Sequence, residues 1–375
     1  MGKERDKIFF NWSRRPDALF LFMSFLLLFA GLLVLYSAST VESFKVSGYT
    51  SYYFLQQLKQ GGVLGILAFI FCLGLDYKYW LKLIPFLVVL ALVSLVLVKV
   101  PGIGVSFGGA TRWISLGPIV FQPSELAKFV VVLYLAAWLS KRGEKNQTHA
   151  DLLPALITLG LFALLILWQP DMGTMLVLIS VAFSLLFLGG VPLRKMGILV
   201  LGAIGASGLL IKLEPYRVRR ILTFLNPALD PLGIGYHVNQ ALLAIGAGGI
   251  WGAGYGLSKQ KYNYLPEAIG DSIFAVLAEE LGFVRTSIVM LGFLILILRG
   301  VFLSLLVGDR FGKLLGSGLM IWIGVQVLIN VGAMIGVLPL TGITLPLFSY
   351  GSSSLIVTMA ALGVVGNIST HRIQK

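Results

Sequence analysis

Long apolar runs separated by short polar segments set the pattern of this 375-residue chain. Runs of about 17 or more residues can cross a hydrocarbon core about 30 Å thick. On that basis membrane-spanning helices are predicted near 18–39, 55–75, 80–99, 122–140, 151–168, 172–190, 196–213, 272–298, 314–336 and 350–368. An even count of about ten puts both termini on one side. The expected fold class is therefore all-α: a single polytopic integral membrane domain over 1–375, with tails at 1–17 and 369–375 on the cytoplasmic side. One long extracytoplasmic segment, 214–270, follows the seventh helix. The first run, Ala18 to Leu35, is longer than a signal-peptide core and reads as a retained span. A glycine-rich apolar stretch, 233–257, resembles an eleventh crossing. It is read instead as interfacial or re-entrant, because another crossing would place the basic segments at 299–313 and 371–375 outside.

Composition fits that pattern. The chain is 57% hydrophobic and 12% charged, with a mean hydropathy of +0.92, far from the mix of a soluble domain. A net charge of +13 would suggest a nucleic-acid partner in a soluble chain. Here the placement of the cations excludes one. With the N-terminus cytoplasmic, Lys3, Arg5, Lys7, Arg14, Arg15, Lys78, Lys82, Lys141, Arg142, Lys145, Arg194, Lys195, Arg299, Arg310, Lys313, Arg372 and Lys375 all lie inside. These are 17 of the 29 basic residues, as the positive-inside rule requires. Cys72 stands alone, so neither an intrachain disulfide nor a cysteine metal site is available, and His149, His237 and His371 are widely separated.

That orientation collects the polar loops on the outer face. In the second, GIGVSFGGATRWISLGPIVFQPSELAK, Pro123, Ser124 and Glu125 sit where a helix starts. Glu125 and Lys128, three apart, share one helix face. Two readings stand: a helix-terminal acid with a snorkelling lysine and a solvated Arg112, or residues that face an inner cavity and hold each other or an anionic substrate. Asp171, in the Gln169-Pro170-Asp171 turn, reads as a helix cap. Arg217, Arg219 and Arg220 precede an amphipathic run and fit a helix lying near lipid phosphates. Gly252, Gly254 and Gly256 mimic a nucleotide fingerprint without its strand or its Lys-Ser/Thr pair, and read as close packing. The last outer loop, LPLTGITLPLFSYGSSS, could close a cavity over the bundle; its serines have no neighbouring base.

The stretch KYNYLPEAIGDSIFAVLAEELG, residues 261–282, holds the first candidate for chemistry. Asp271 is a lone carboxylate where a polar loop turns into an apolar helix, a costly position unless water, a cation or a substrate offsets it. Glu279 and Glu280 lie about 12–14 Å further along that helix at 1.5 Å per residue, too far to pair with Asp271. Arg285 is expected to neutralise one of them.

These residues carry a resemblance. The run from LTFLNPALDPLG to AEELGF, with PSELAK before it and TGITLPLFSYGSSSL after it, is similar to the SEDS family (shape, elongation, division and sporulation), and most like its cell-division branch. The resemblance implies a ten-span peptidoglycan glycosyltransferase that polymerises lipid II, the undecaprenyl-diphosphate-linked disaccharide-pentapeptide, on the outer face of the bacterial cytoplasmic membrane at the division septum. It implies a class B penicillin-binding protein and other divisome membrane proteins as partners, and undecaprenyl diphosphate as the released product. The family's essential aspartate corresponds to Asp271, its PSELxK motif to Pro123, Ser124, Glu125 and Lys128, and its Gly-Gly-Ser-Ser loop to Gly351, Ser352, Ser353 and Ser354. Departures are Ile269-Gly270-Asp271-Ser272 where His-Thr-Asp-Phe is frequent, His237 for Gln, Ala241 for Ser, and Ser352 for the second Gly. In this reading Asp271 is the catalytic base. Arg112, Lys128, Arg217, Arg219 and Arg220 are candidates to hold the diphosphate, optionally through Mg or Mn, and Glu125, Glu279, Glu280, Ser352 and Ser353 are supporting candidates. A lipid II flippase or transporter and the elongation branch are the alternatives.

Overall fold

The computed structural model describes residues 15–107, 110–117, 119–144, 152–213, 215–226, 230 and 233–373. The cations from Lys3 to Arg14, Lys145 and Lys375 lie outside them. Each of the ten predicted spans contains a helix. The helices are α1 (Ala18–Ser47), α2 (Tyr52–Gln56) continuing through a π-helical segment (Gln57–Val63) into α3 (Leu64–Gly74), α4 (Trp80–Leu97), α5 (Pro123–Glu144), α6 (Leu153–Trp168), α7 (Met172–Leu188) and α8 (Leu193–Leu213). After them come α9 (Pro215–Leu225), α10 (Ile234–Gly248), α11 (Ile273–Leu305), α12 (Arg310–Met334) and α13 (Ser352–Ser369). Among the described residues seven helical stretches are long and apolar enough to cross a membrane, and α6 and α7 are shorter apolar helices. The protein is thus a helical, polytopic membrane protein.

Helix starts follow local chemistry. Asp17, Asp171 and Asp309 cap α1, α7 and α12, each side chain accepting an otherwise unpaired backbone N–H of the first turn. Helix α1 spans 30 residues, about 45 Å at 1.5 Å per residue. It therefore runs well past the predicted residue 39, and its overhang meets the outer loops, where Lys45 donates to Asn263 Oδ1.

Burial separates inner from outer helices. The spanning windows of α5 and α13 are 83% buried and that of α12 72%, against 28% for α4 and α11. The centre therefore consists of α5, α12 and α13, and the polar groups they carry are held away from lipid. One end of the bundle joins Asp17 to Arg299 and Arg372, Asp76 to His371, Tyr77 to Asp309, and Arg310 to the carbonyl of Gly189. All of these belong to segments that the charge pattern places inside. The opposite end gathers the outer loops.

Two features go beyond the sequence reading. The second outer loop folds as a three-stranded antiparallel sheet, β1 (Gly104–Phe107), β2 (Ala110–Leu116) and β3 (Ile119–Phe121), in that order, with Val105 opposite Trp113 and Ser115 opposite Val120. Alternating β-branched and aromatic residues between glycines suit paired strands. The other is a break in α11 at Gly282, whose φ of 74° leaves the helical region. The glycine-rich run docks there: Ala253 and Gly254 donate to the carbonyls of Glu279 and Glu280, while Phe283 and Val284 donate to those of Gly249 and Ile250. A Cβ on Gly252 would lie 2.3 Å from the Glu280 carbonyl oxygen, so no larger residue allows this approach.

Candidate active site

Asp271 lies in the turn that leads into α11, at the outer end of the bundle. The Gly270 and Ser272 amides donate to the Glu267 carbonyl, and this turn presents Asp271 beside α10. Its side chain is 12% exposed, and Oδ1 lies 4.0 Å from His237 Nε2. The Ser272 hydroxyl bridges the two, 2.5 Å from His237 Nε2 and 3.5 Å from Asp271 Oδ1. Burial, then the nearby Glu267 carboxylate, pushes the Asp271 carboxyl up to about 7, against the pull of its own backbone N–H, the Arg220 cation and the Ser272 hydroxyl. Burial, then the Arg220 charge, pushes His237 down to about 4. The imidazole is therefore neutral at neutral pH, while the aspartate is poised to gain or lose a proton there.

Helix α12 holds this turn from behind. Asn330 Nδ2 donates to the main-chain oxygen of Asp271 at 2.8 Å and to that of Ile343 at 2.7 Å. One turn earlier Gln326 Nε2 donates to the Thr344 carbonyl at 3.1 Å, while its Oε1 accepts from Lys128 Nζ at 2.8 Å. Lys128 also pairs with Glu125 Oε1 at 2.8 Å and sits over the Trp322 ring. Both members of that pair are buried. The α5 motif, the last outer loop and the Asp271 turn therefore meet along one stripe of α12. Two amides at i and i+4 in the apolar run VQVLINVG are the sequence signal for that stripe, and the sequence reading passed over them.

The last loop is tied from both sides. The Tyr350 amide donates to the Ile269 carbonyl at 2.8 Å. Gln57, buried in the π-helical segment, accepts from the Gly351 amide at 3.1 Å and donates to the Ser349 carbonyl at 3.5 Å. Ser353 accepts from the Gln122 amide at 3.0 Å and donates to the Val120 carbonyl at 3.3 Å, joining α13 to β3. Ser352 begins α13 and is half-buried. π-helical insertions often mark functional positions, and this one aims Gln57 at the loop.

The candidate cations are scattered. Arg220, on α9, is close enough for its charge to act on both Asp271 and His237. Arg217 and Arg219 occupy the same helix, and their side chains lie outside the described residues. Arg112 on β2 donates to the carbonyls of Gln169 and Pro170 at 3.3 and 2.6 Å, so it braces the α6–α7 turn. Glu125 turns to Lys128, three residues along the same helix face. Asp171 caps α7 through Thr174, with Oδ1 3.0 Å from its amide and Oδ2 2.8 Å from its hydroxyl, and Ser124 Oγ lies 3.5 Å from Oδ2.

Glu279 and Glu280 belong to a separate buried cluster. Glu279 accepts from the Ser258 hydroxyl and from the amides of Lys259 and Gln260. Glu280 pairs with Lys261 at 2.8 Å and accepts from Ser37 at 2.6 Å. The cation beside Glu280 is thus Lys261 rather than the expected Arg285. Arg285 lies beyond the break at Gly282 and donates instead to the Trp251 carbonyl. Among the described residues no group of three or more His, Cys, Asp and Glu side chains converges. A Mg or Mn ion would draw most of its ligands from a bound diphosphate and water.

Comparison with known proteins gives a consistent match. A cell cycle protein family named for FtsW, RodA and SpoVE matches residues 17–374. Stage V sporulation protein E of Bacillus subtilis (strain 168) is 39% identical over 360 residues, covering 95% of this chain and 97% of that one. A protein of Geobacter sp. (strain M18) named "Probable peptidoglycan glycosyltransferase FtsW" is 38% identical over 358 residues, covering 95% and 97%. Among solved structures, a chain from work on the structural coordination of polymerization and crosslinking by a peptidoglycan synthase complex superposes with a TM-score of 0.75 at 30% identity, covering 96% of this chain and 99% of that one. The rod shape determining protein RodA of Thermus thermophilus gives 0.69 at 29%, covering 97% and 100%.

Proposed function

The chain belongs to the FtsW, RodA and SpoVE family of cell cycle proteins, and from that premise we propose how it acts as a peptidoglycan glycosyltransferase. It polymerises lipid II into glycan strands at the outer face of the bacterial cytoplasmic membrane, in septal wall synthesis. The observation that carries the chemistry is the Asp271 carboxyl, buried at the outer end of the bundle and pushed up to about 7. A base with that proton affinity suits abstraction of a sugar hydroxyl proton near neutral pH. Asp271 deprotonates the GlcNAc 4-hydroxyl of one lipid II, and the resulting oxygen displaces undecaprenyl diphosphate from C1 of the other sugar with inversion.

The leaving diphosphate needs cations that follow its developing charge. Arg220 is the member of the set whose field already reaches Asp271. Arg217 and Arg219 share its helix. Arg112 and Lys128 are engaged with protein acceptors, and their role is to hold the loops around the diphosphate unless substrate displaces those contacts. Glu125, Ser352 and Ser353 shape the same outer mouth, whereas Glu279 and Glu280 serve it from further off, by anchoring 256–261. A divalent ion, when bound, would add positive charge at the diphosphate.

The topology that places Asp271 outside has ten crossings, with α6, α7 and α8 completing the set. The clustering of Asp17, Asp76, Asp309, Arg299 and Arg372 at one end supports it. The partner is a crosslinking enzyme, a class B penicillin-binding protein, within the divisome; the solved complex superposing at 0.75 supports such a pairing.

Labelled lipid II, incubated with the detergent-purified chain and its transpeptidase partner and resolved on gels, tests the assignment. Wild type is expected to yield glycan strands, Glu125→Ala fewer, and Asp271→Asn none with partner binding intact. Full polymerisation by Asp271→Asn would remove the base assignment. Depletion in cells separates the branches: filaments point to division, spheres to elongation.

A further inference from the structure

We propose that His237 is a positioning residue for Asp271: its Nε2–H donates to the Ser272 hydroxyl, which donates to Asp271 Oδ1 and leaves Oδ2 to take the acceptor's proton. This deepens, and rests on, the reading of Asp271 as general base. The contacts are the 2.5 Å approach of His237 Nε2 to Ser272 Oγ and the 3.5 Å approach of that hydroxyl to Asp271 Oδ1. All three side chains are largely buried, His237 and Asp271 being 15% and 12% exposed.

Hydrogen count sets the direction of the chain. A serine hydroxyl carries one proton, and an ionised carboxylate has none. When Asp271 is ionised, the Ser272 proton goes to it, so the close nitrogen of His237 must supply the other hydrogen. A neutral ring retains one N–H for this, and burial beside Arg220 keeps the ring neutral. Among the described residues, the groups that act on Asp271 are His237 from α10, Arg220 from α9, Glu267 from the preceding loop and Ser272 from its own turn. Asn330 of α12 reaches only main-chain oxygen. Oδ2 lies near Gly342, whose added Cβ would stand 3.9 Å from it, in ordinary van der Waals contact. That glycine has a φ of +70°, a conformation that favours glycine.

The chain of donors favours the ionised form of Asp271 against its burial, so its loss must move the acid limb of the pH–rate profile upward. The test is lipid II polymerisation by the full-length protein with its transpeptidase partner, followed across pH for wild type, His237→Gln, His237→Leu, Ser272→Ala and the Leu/Ala double variant. His237→Leu and Ser272→Ala are expected to raise the acid limb by about one pH unit, a tenfold loss on that limb, with KM for lipid II unchanged and the rate recovered at alkaline pH. His237→Gln keeps an N–H donor and is expected to leave the limb near wild type. The double variant should shift no further than Ser272→Ala.

A limb that stays in place while the rate falls equally at every pH would overturn the proposal, as would His237→Gln behaving like His237→Leu. If His237→Leu does not purify, Ser272→Ala and His237→Gln carry the same comparison. Asp271→Asn keeps the two readings apart. If it is inactive at every pH and the other limbs are unmoved, only the His237 role fails; if it is active, the base reading fails whatever the His237 variants do.

Discussion

Replacing Asp271 with asparagine should stabilise this protein while it abolishes polymerisation. The carboxyl titrates near 3.8 when unburied and is pushed up to about 7 in the folded chain. The folded state therefore holds the proton more tightly than the unfolded state. Stability is full below about pH 4, falls as pH rises toward about 7, and stays low above it. A difference of about three pH units at 1.36 kcal/mol each sets a ceiling of about 4 kcal/mol. Water reaching a side chain that is 12% exposed lowers that figure. Asparagine carries no charge at any pH and escapes the penalty. Thermal unfolding in detergent, followed by tryptophan fluorescence, measures this: the advantage of Asp271→Asn should be close to nil near pH 4 and grow to a plateau above pH 7. A pH-independent difference, or a variant less stable than wild type at alkaline pH, would refute the account of Asp271 as a carboxylate ionised at the expense of folding.

Other substitutions probe the framework around the site. Lys261→Met leaves Glu280 buried without its cation and should cost about 3–5 kcal/mol, read as a lower unfolding temperature that adding Glu280→Gln partly restores. Gly252→Ala places a Cβ 2.3 Å from the Glu280 carbonyl oxygen at a φ of +85°, and should abolish accumulation of folded protein on size exclusion. Gly256→Ala, at φ +81° with open space around it, should cost about 1 kcal/mol. Gln326→Leu removes the link between Lys128 and Thr344 and should lower both stability, by about 1–3 kcal/mol, and the yield of glycan; unchanged polymerisation would show that the α12 stripe does not set the site.

The helices were legible because crossing a bilayer depends on the length and apolarity of a run, which a linear reading captures. Their ends were less so. Helix α1 continues to Ser47 because Gly48 stops it there, and Lys45 on its overhang reaches Asn263 of an outer loop, neither of which apolar length reports. Asp271 stood out as a lone acid beside an apolar helix. Its neighbours did not, since His237 lies 34 positions away and Arg220 further still, and only folding brings α9 and α10 to it. Arg112 read as a solvated anchor or a cavity-facing cation, and its hydrogen-bond partners are two main-chain carbonyls that carry no sequence signature.

By itself the sequence determined that the chain is a helical membrane protein; it also suggested an orientation and singled out Asp271 as the isolated acid to test. Each follows from a one-dimensional quantity: the length of an apolar run, the count of cations between runs, or the isolation of a charge. Only the tertiary structure decided that Lys261 neutralises Glu280, that Gln326 and Asn330 join three motifs along one face of α12, and that Ser272 stands between His237 and Asp271. Those pairings depend on how helices rotate and where Gly282 breaks one, and a buried polar group is satisfied only by what packing brings within hydrogen-bond reach.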